Sequence, residues 1–133
     1  MHPLSFHTDP EGFPRYRSTD NRWVPVGVWF VMELRNSPYQ CLDLLALIDD
    51  VATGRETRTR WEGEAFDVLI TAAAVSVVNT ILDDQRGEYP LGEVRAAAED
   101  YWHFLSDSLQ VASDIEDWEE TWSRTHPHRG SLF

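Results

Sequence analysis

The chain reads as a small single-domain α+β protein: an antiparallel sheet of three to four strands with two amphipathic helices packed on one face. Three observations predict this. Two segments repeat apolar residues at helical spacing, and several β-branched or alternating runs lie around them. The third is size, since 133 residues with 42% hydrophobic content suit one domain with a real core.

Residues 1–20 hold Pro3, Pro10, Gly12 and Pro14 among polar residues, which predicts an extended or turn-rich arm pinned by Phe6, Phe13 and Tyr16. A single α+β domain is expected over 21–112, followed by an acidic C-terminal tail over 113–133. Trp23 to Leu34 is β-branched and aromatic, which favours a strand, with Pro25 and Gly27 marking an edge or bulge in its first half. Ser37-Pro38-Tyr39-Gln40 reads as a helix start: Ser37 as N-cap, Pro38 in the first turn, Gln40 completing a capping box. Cys41, Leu44, Leu45 and Ile48 then form one apolar face, and Gly54 supplies a left-handed stop.

Glu56 to Thr71 predicts one long strand, bent at Gly63, with Phe66, Val68 and Ile70 alternating along it. A hairpin at Ala72–Ala74 leads into a second strand over Val75–Thr80; the competing reading is one helix through the alanines. Asp83 to Glu88 is a polar loop, and Tyr89-Pro90-Leu91 adds a short strand. Val94, Ala97, Ala98, Tyr101 and Leu105 then keep helical spacing. Asp114 to Trp122 suggests one or two helical turns, and the end from His126 to Gly130 is expected to be loose.

The charge balance narrows function. Eleven basic against 23 acidic residues give a net charge of −12, a field that repels nucleic acid and anionic membranes and attracts a basic protein. No apolar run reaches the ~20 residues of a membrane span, and the N-terminus lacks the form of a signal peptide, so a cytoplasmic location is expected. A lone Cys41 forms no internal disulfide, and its place on an apolar helix face predicts an inert packed thiol.

No catalytic constellation is legible. His126 and His128 alternate in what reads as a flexible end and make a poor metal site. Asp49-Asp50 diverge on a helix, and Asp83-Asp84 lack the ligand series of a calcium loop. No nucleophile elbow, phosphate loop or dinucleotide fingerprint is present, and the sequence asks for no cofactor. Arg55, Arg58 and Arg60 with Trp61 form the one basic aromatic patch, but Glu56, Glu62 and Glu64 interleave with it, favouring cross-strand ion pairing over RNA binding.

The leading expectation is a non-catalytic binding protein that occludes a basic partner. The candidate contacts are Trp61, Glu62 and Glu64 on a strand and Asp83, Asp84 and Glu88 in a loop, with Asp114–Trp122 as a second surface. Carboxylates would steer association and mimic phosphate while an aromatic anchors it. The alternative is a housekeeping regulator or small-ligand binder whose acidity serves solubility. A free edge near Trp23–Leu34 would also permit a homodimer.

The order of elements adds a resemblance. Val26-Gly27-Val28-Trp29-Phe30, the helix Leu42 to Gly54, Trp61-Glu62-Gly63-Glu64-Ala65-Phe66, Tyr89-Pro90-Leu91 and Tyr101-Trp102-His103-Phe104-Leu105 carry it. In these the chain resembles a short uncharacterised bacterial family typified by the YacL protein, and immunity proteins of contact-dependent toxin systems. The resemblance implies a compact protein that binds and neutralises another protein, and no catalytic residues.

Overall fold

The computed structural model describes residues 2–107 and 110–133. Its centre is a four-stranded antiparallel meander in the order β3-β4-β5-β6, formed by Arg58–Glu62, Phe66–Thr71, Val75–Asn79 and Arg86–Tyr89. The α+β architecture is as the sequence predicts, with further elements around it. The alternation is strict: Trp61, Phe66, Val68, Ile70, Val75, Val77 and Tyr89 point inward, while Arg58, Arg60, Glu62, Asp67, Leu69 and Glu88 face outward. The three alanines do form the β4–β5 turn. They are helped by Thr71, whose N–H bonds the Ala74 carbonyl at 3.0 Å while its hydroxyl accepts the Ala74 N–H at 3.2 Å.

Helix α2, Pro38–Ala52, is the best-predicted element. Ser37 caps it by accepting the Gln40 N–H at 3.2 Å. The reciprocal half of the capping box is not made, because the Ser37 N–H bonds the Leu34 carbonyl at 3.0 Å. Gly54, with φ +78, follows its end. The helix is covered on more than the predicted stripe, since Leu42 and Ala46 are buried along with Cys41, Leu44, Leu45 and Ile48. It packs on β3 and β4, on α3 (Leu91–Leu105) and on α4 (Val111–Trp122).

The segment Trp23–Leu34 is not a strand. A short 3-10 turn, Asn21–Trp23, leads into helix α1, Val24–Trp29, which runs on as a π-helical turn over Phe30–Leu34. Pro25 sits in the first turn, where a missing N–H costs nothing. Val26, Trp29, Phe30 and Leu34 are all fully buried, a helical spacing that the β-branched and aromatic bulk had masked. Gly27 is required by contact, because a Cβ there would enter the ring of Tyr16.

Residues 1–20, expected as an extended or turn-rich arm pinned by Phe6, Phe13 and Tyr16, hold a β-hairpin that Phe6 and Tyr16 pack against the core while Phe13 stays exposed. Leu4–Thr8 (β1) and Pro14–Ser18 (β2) make a separate two-stranded antiparallel sheet. Asp9 closes its turn, its side chain accepting the N–H groups of Glu11 and Phe13, both at 2.9 Å. Phe6 anchors the hairpin edge-on against Tyr101, with ring centroids 4.8 Å apart.

The expected single strand over Glu56–Thr71 is broken at Gly63–Ala65 into β3 and β4. The expected loop over Asp83–Glu88 ends early, because β6 begins at Arg86. The expected loose end is folded. Ile115 and Trp118 of α4 belong to the core, and His126 and His128 are only 2% and 4% exposed. Arg124 forks onto Asp50 with two bonds of 3.1 Å, and Arg129 forks onto Glu119 at 2.6 and 2.8 Å.

Candidate protein-interaction site

In a meander, alternate turns share one end of the sheet. The β3–β4 turn therefore lies beside the β5–β6 connection, and the Thr80 N–H bonds the Ala65 carbonyl at 2.7 Å. This brings together Glu64 from one predicted cluster with Asp83 and Asp84 from the other. The side chains of Glu64 and Asp83 are 85% and 98% exposed.

The same β5–β6 connection carries Ile81 and Leu82, 72% and 50% exposed, two of the exposed large apolar side chains among the described residues. Their backbone is held from below. Asn79 occupies the last inward position of β5 and is buried. Its side-chain oxygen accepts the N–H groups of Ile81 and Leu82, each at 2.9 Å. Its amide donates to the Gln85 side chain at 2.9 Å, and its own N–H bonds the Gln85 carbonyl at 2.9 Å. Sequence reasoning missed this pair. The signal available was Asn79 itself, a polar residue where the alternation of Val75 and Val77 demands an apolar one.

The β3–β4 turn is clamped by Glu33, which the π-helical turn projects toward it. One carboxylate oxygen accepts the Ala65 N–H at 2.7 Å and the other the Glu64 N–H at 3.2 Å. Next to the turn lies a cleft of about 510 Å³ whose lining includes Glu33, Arg35, Gln40, Trp61, Glu62 and Glu64. Arg35 reaches the Glu64 carboxylate at 3.6 Å. Its backbone is strained, with φ +52 for a non-glycine residue, and the Tyr101 hydroxyl holds it by donating to the Arg35 carbonyl at 2.5 Å.

The remaining candidates separate. Trp61 is 5% exposed and packs edge-on against Trp29 at 5.7 Å, so it is core and no partner anchor. Glu62 and Glu88 lie on the outer face of the sheet, on β3 and β6. That face is mixed in sign, carrying Arg58, Arg60, Asp67 and Arg86 as well. Arg60 meets Asp67 diagonally at 3.7 Å, the cross-strand pairing the sequence suggested. Trp61 lies on the opposite face from Arg58 and Arg60, so it cannot stack a base beside them. On α4, Trp118 is buried and donates to Asp43 at 3.3 Å, while Trp122 and the acids Glu116, Asp117 and Glu120 are exposed.

Among the described residues, no group of three His, Cys, Asp or Glu side chains is placed to hold a metal ion. Both ring nitrogens of His126 are occupied: Nε2 donates to the Leu42 carbonyl at 2.8 Å and Nδ1 accepts the His128 N–H at 3.0 Å. Burial pushes the Cys41 thiol up, away from the reactive thiolate, and its Sγ faces the Ala98 carbonyl at 3.6 Å. No helix among the described residues is long and apolar enough to cross a membrane. No family model, curated protein or solved structure matches the chain.

Proposed function

We propose that this chain is a non-catalytic binding protein that occludes a basic protein partner with the sheet end carrying Ile81, Leu82, Glu64, Asp83 and Asp84. The observation that supports this best is the exposed Ile81–Leu82 pair, whose backbone is fixed by buried Asn79 and which Asp83 and Asp84 follow directly in the chain. A segment whose backbone is already held loses less freedom on docking, so more of its burial is spent on affinity. The carboxylates of this sheet end steer a cationic partner and discriminate against anionic ones, and the net charge of −12 acts in the same direction. In its specific form the partner is a nuclease-type toxin, neutralised in the cytoplasm in the manner the resemblance to immunity proteins implies. The carboxylates then stand in for phosphate, and no cofactor is needed.

One observation favours a second reading, a small-ligand-binding regulator: the cleft of about 510 Å³ has the size of a ligand pocket. Its carboxylates suit a small cation. Affinity capture separates the two, using the native chain and an Ile81→Asp/Leu82→Asp double variant as baits. Both side chains are exposed, so the variant should keep its stability within about 0.5 kcal/mol per site. A basic protein held stoichiometrically by the native chain, released by salt and lost on the variant, is the expected result. Salt should act because exposed charges are screened beyond about 8 Å at physiological ionic strength. Equal retention on both baits would remove this surface from the proposal. A small molecule that co-purifies and ignores salt would favour the second reading.

A further inference from the structure

Strand β3 is an outer edge of the sheet, with β4 on one side and, among the described residues, no strand on the other. The direction of its backbone groups follows from the turn. The Gly63 N–H bonds the Phe66 carbonyl at 2.9 Å, and hydrogen-bonded pairs recur every second residue from there. Trp61 with Val68 and Thr59 with Ile70 are therefore the bonded pairs toward β4. Arg58, Arg60 and Glu62 turn their N–H and C=O groups outward, to the free edge. All three side chains are exposed.

We propose that two copies of this chain pair antiparallel through β3, about a twofold axis at Arg60, to form one continuous eight-stranded sheet. The sequence of the edge, Arg58-Thr59-Arg60-Trp61-Glu62, is self-complementary in that register. Arg58 lies opposite Glu62 of the partner subunit, and Glu62 opposite Arg58 of the partner subunit. All outward backbone groups meet outward backbone groups, so three bonded pairs form, each exchanging two hydrogen bonds. Opposite charges directly across a strand pair stabilise it, and like charges destabilise it.

The one unfavourable apposition, Arg60 with its own copy on the axis, is relieved within each chain. Asp67 draws the guanidinium toward β4, at 3.7 Å, away from the axis. Net repulsion between two chains of charge −12 is long-range and is screened at physiological salt, whereas the Arg58–Glu62 contacts are short. A five-residue edge is small, so the dimer is concentration-dependent. The axis at Arg60 sends the two Ile81–Leu82 ends to opposite extremes of the joined sheet, so dimerisation and partner binding do not compete.

Sedimentation velocity over a concentration series at physiological salt tests this with four samples. The native chain should move from monomer to dimer. Arg58→Glu alone places Glu opposite Glu, and Glu62→Arg alone places Arg opposite Arg. Each should weaken the dimer about tenfold to a hundredfold, since both symmetry-related pairs are reversed. An equimolar mixture of these two single variants should recover dimers, because every cross-axis pair is then Glu with Arg. The Arg58→Glu/Glu62→Arg double variant should recover them by itself. A native chain that stays monomeric to millimolar concentration overturns the proposal. So does a dimer that the single reversals leave intact, or one that neither the mixture nor the double variant restores.

Discussion

The side-chain oxygen of Asn79 accepts the backbone N–H of Leu82 at 2.9 Å, and that of Ile81 at the same distance. One buried amide thus shapes the exposed loop. Asn79→Ala should remove both bonds and the contact to Gln85, leaving loop groups without partners. The cost should be about 2 kcal/mol of stability, the sum of three lost hydrogen bonds at about 0.5–1.5 kcal/mol each. Amide exchange separates this loop effect from general loosening: Ile81 and Leu82 should lose protection while Val68 and Val77, in the central strands, keep theirs.

Glu33 plays the equivalent part for the β3–β4 turn, holding the N–H groups of Glu64 and Ala65. Hydrogen bonds to an ionised acceptor are stronger than neutral ones. Glu33→Ala should cost about 2 kcal/mol and Glu33→Gln about half that, because the amide keeps one acceptor oxygen. Gly63→Ala should be at least as harmful, since its Cβ would lie 2.6 Å from both a Glu33 carboxylate oxygen and the Trp61 ring. Urea unfolding midpoints at constant slope would check all three.

These two clamps mark the boundary of what was legible. Signals confined to a few neighbours in sequence were readable: the Ser37 cap, the Gly54 stop, and the 41-44-45-48 stripe of α2. The second buried side of α2, at Leu42 and Ala46, was not, because it is defined by a C-terminal segment about 75 residues away in sequence, through contacts such as Trp118 with Asp43. Trp23–Leu34 misled because its outer side is apolar too: Val24, Val28 and Val31 are half-buried and Met32 is exposed, so few polar positions reveal the helical period. Glu64, Asp83 and Asp84 were readable as exposed acids, yet their meeting depends on the register of the meander. Trp61 and Glu62 are adjacent in sequence and lie on opposite faces, so a partner surface including both required the pleat to be ignored.

Cys41 offers a probe of global opening. It is fully buried against Ala98 of α3, and burial pushes its thiol up. A thiol reagent at neutral pH should therefore modify the native chain at the rate at which α2 and α3 separate, and completely in denaturant. Rapid native labelling would contradict this packing. The rate should rise in Glu33→Ala, which lowers global stability, if opening is a single cooperative event.

Acid should release the C-terminal segment. Burial pushes His126 from 6.5 down to about 4, with Arg124 and His128 adding repulsion. His128 is lowered as well, again chiefly by burial. Since the folded chain holds His126 neutral, the unfolded chain binds the extra proton between these values. The stabilisation is full above about 6.5 and is lost as pH falls toward about 4. Glu119 acts with the same sign lower down: the Arg129 hydrogen bond holds it at about 2 against an ordinary 4.5, so its contribution fades below 4.5. Denaturation midpoints should therefore fall steeply across mildly acidic pH. His126→Gln keeps a donor for the Leu42 carbonyl without a titrating ring, and should flatten that slope while lowering stability at neutral pH through lost packing against Trp118. A native chain and variant with parallel pH profiles would place the acid sensitivity elsewhere.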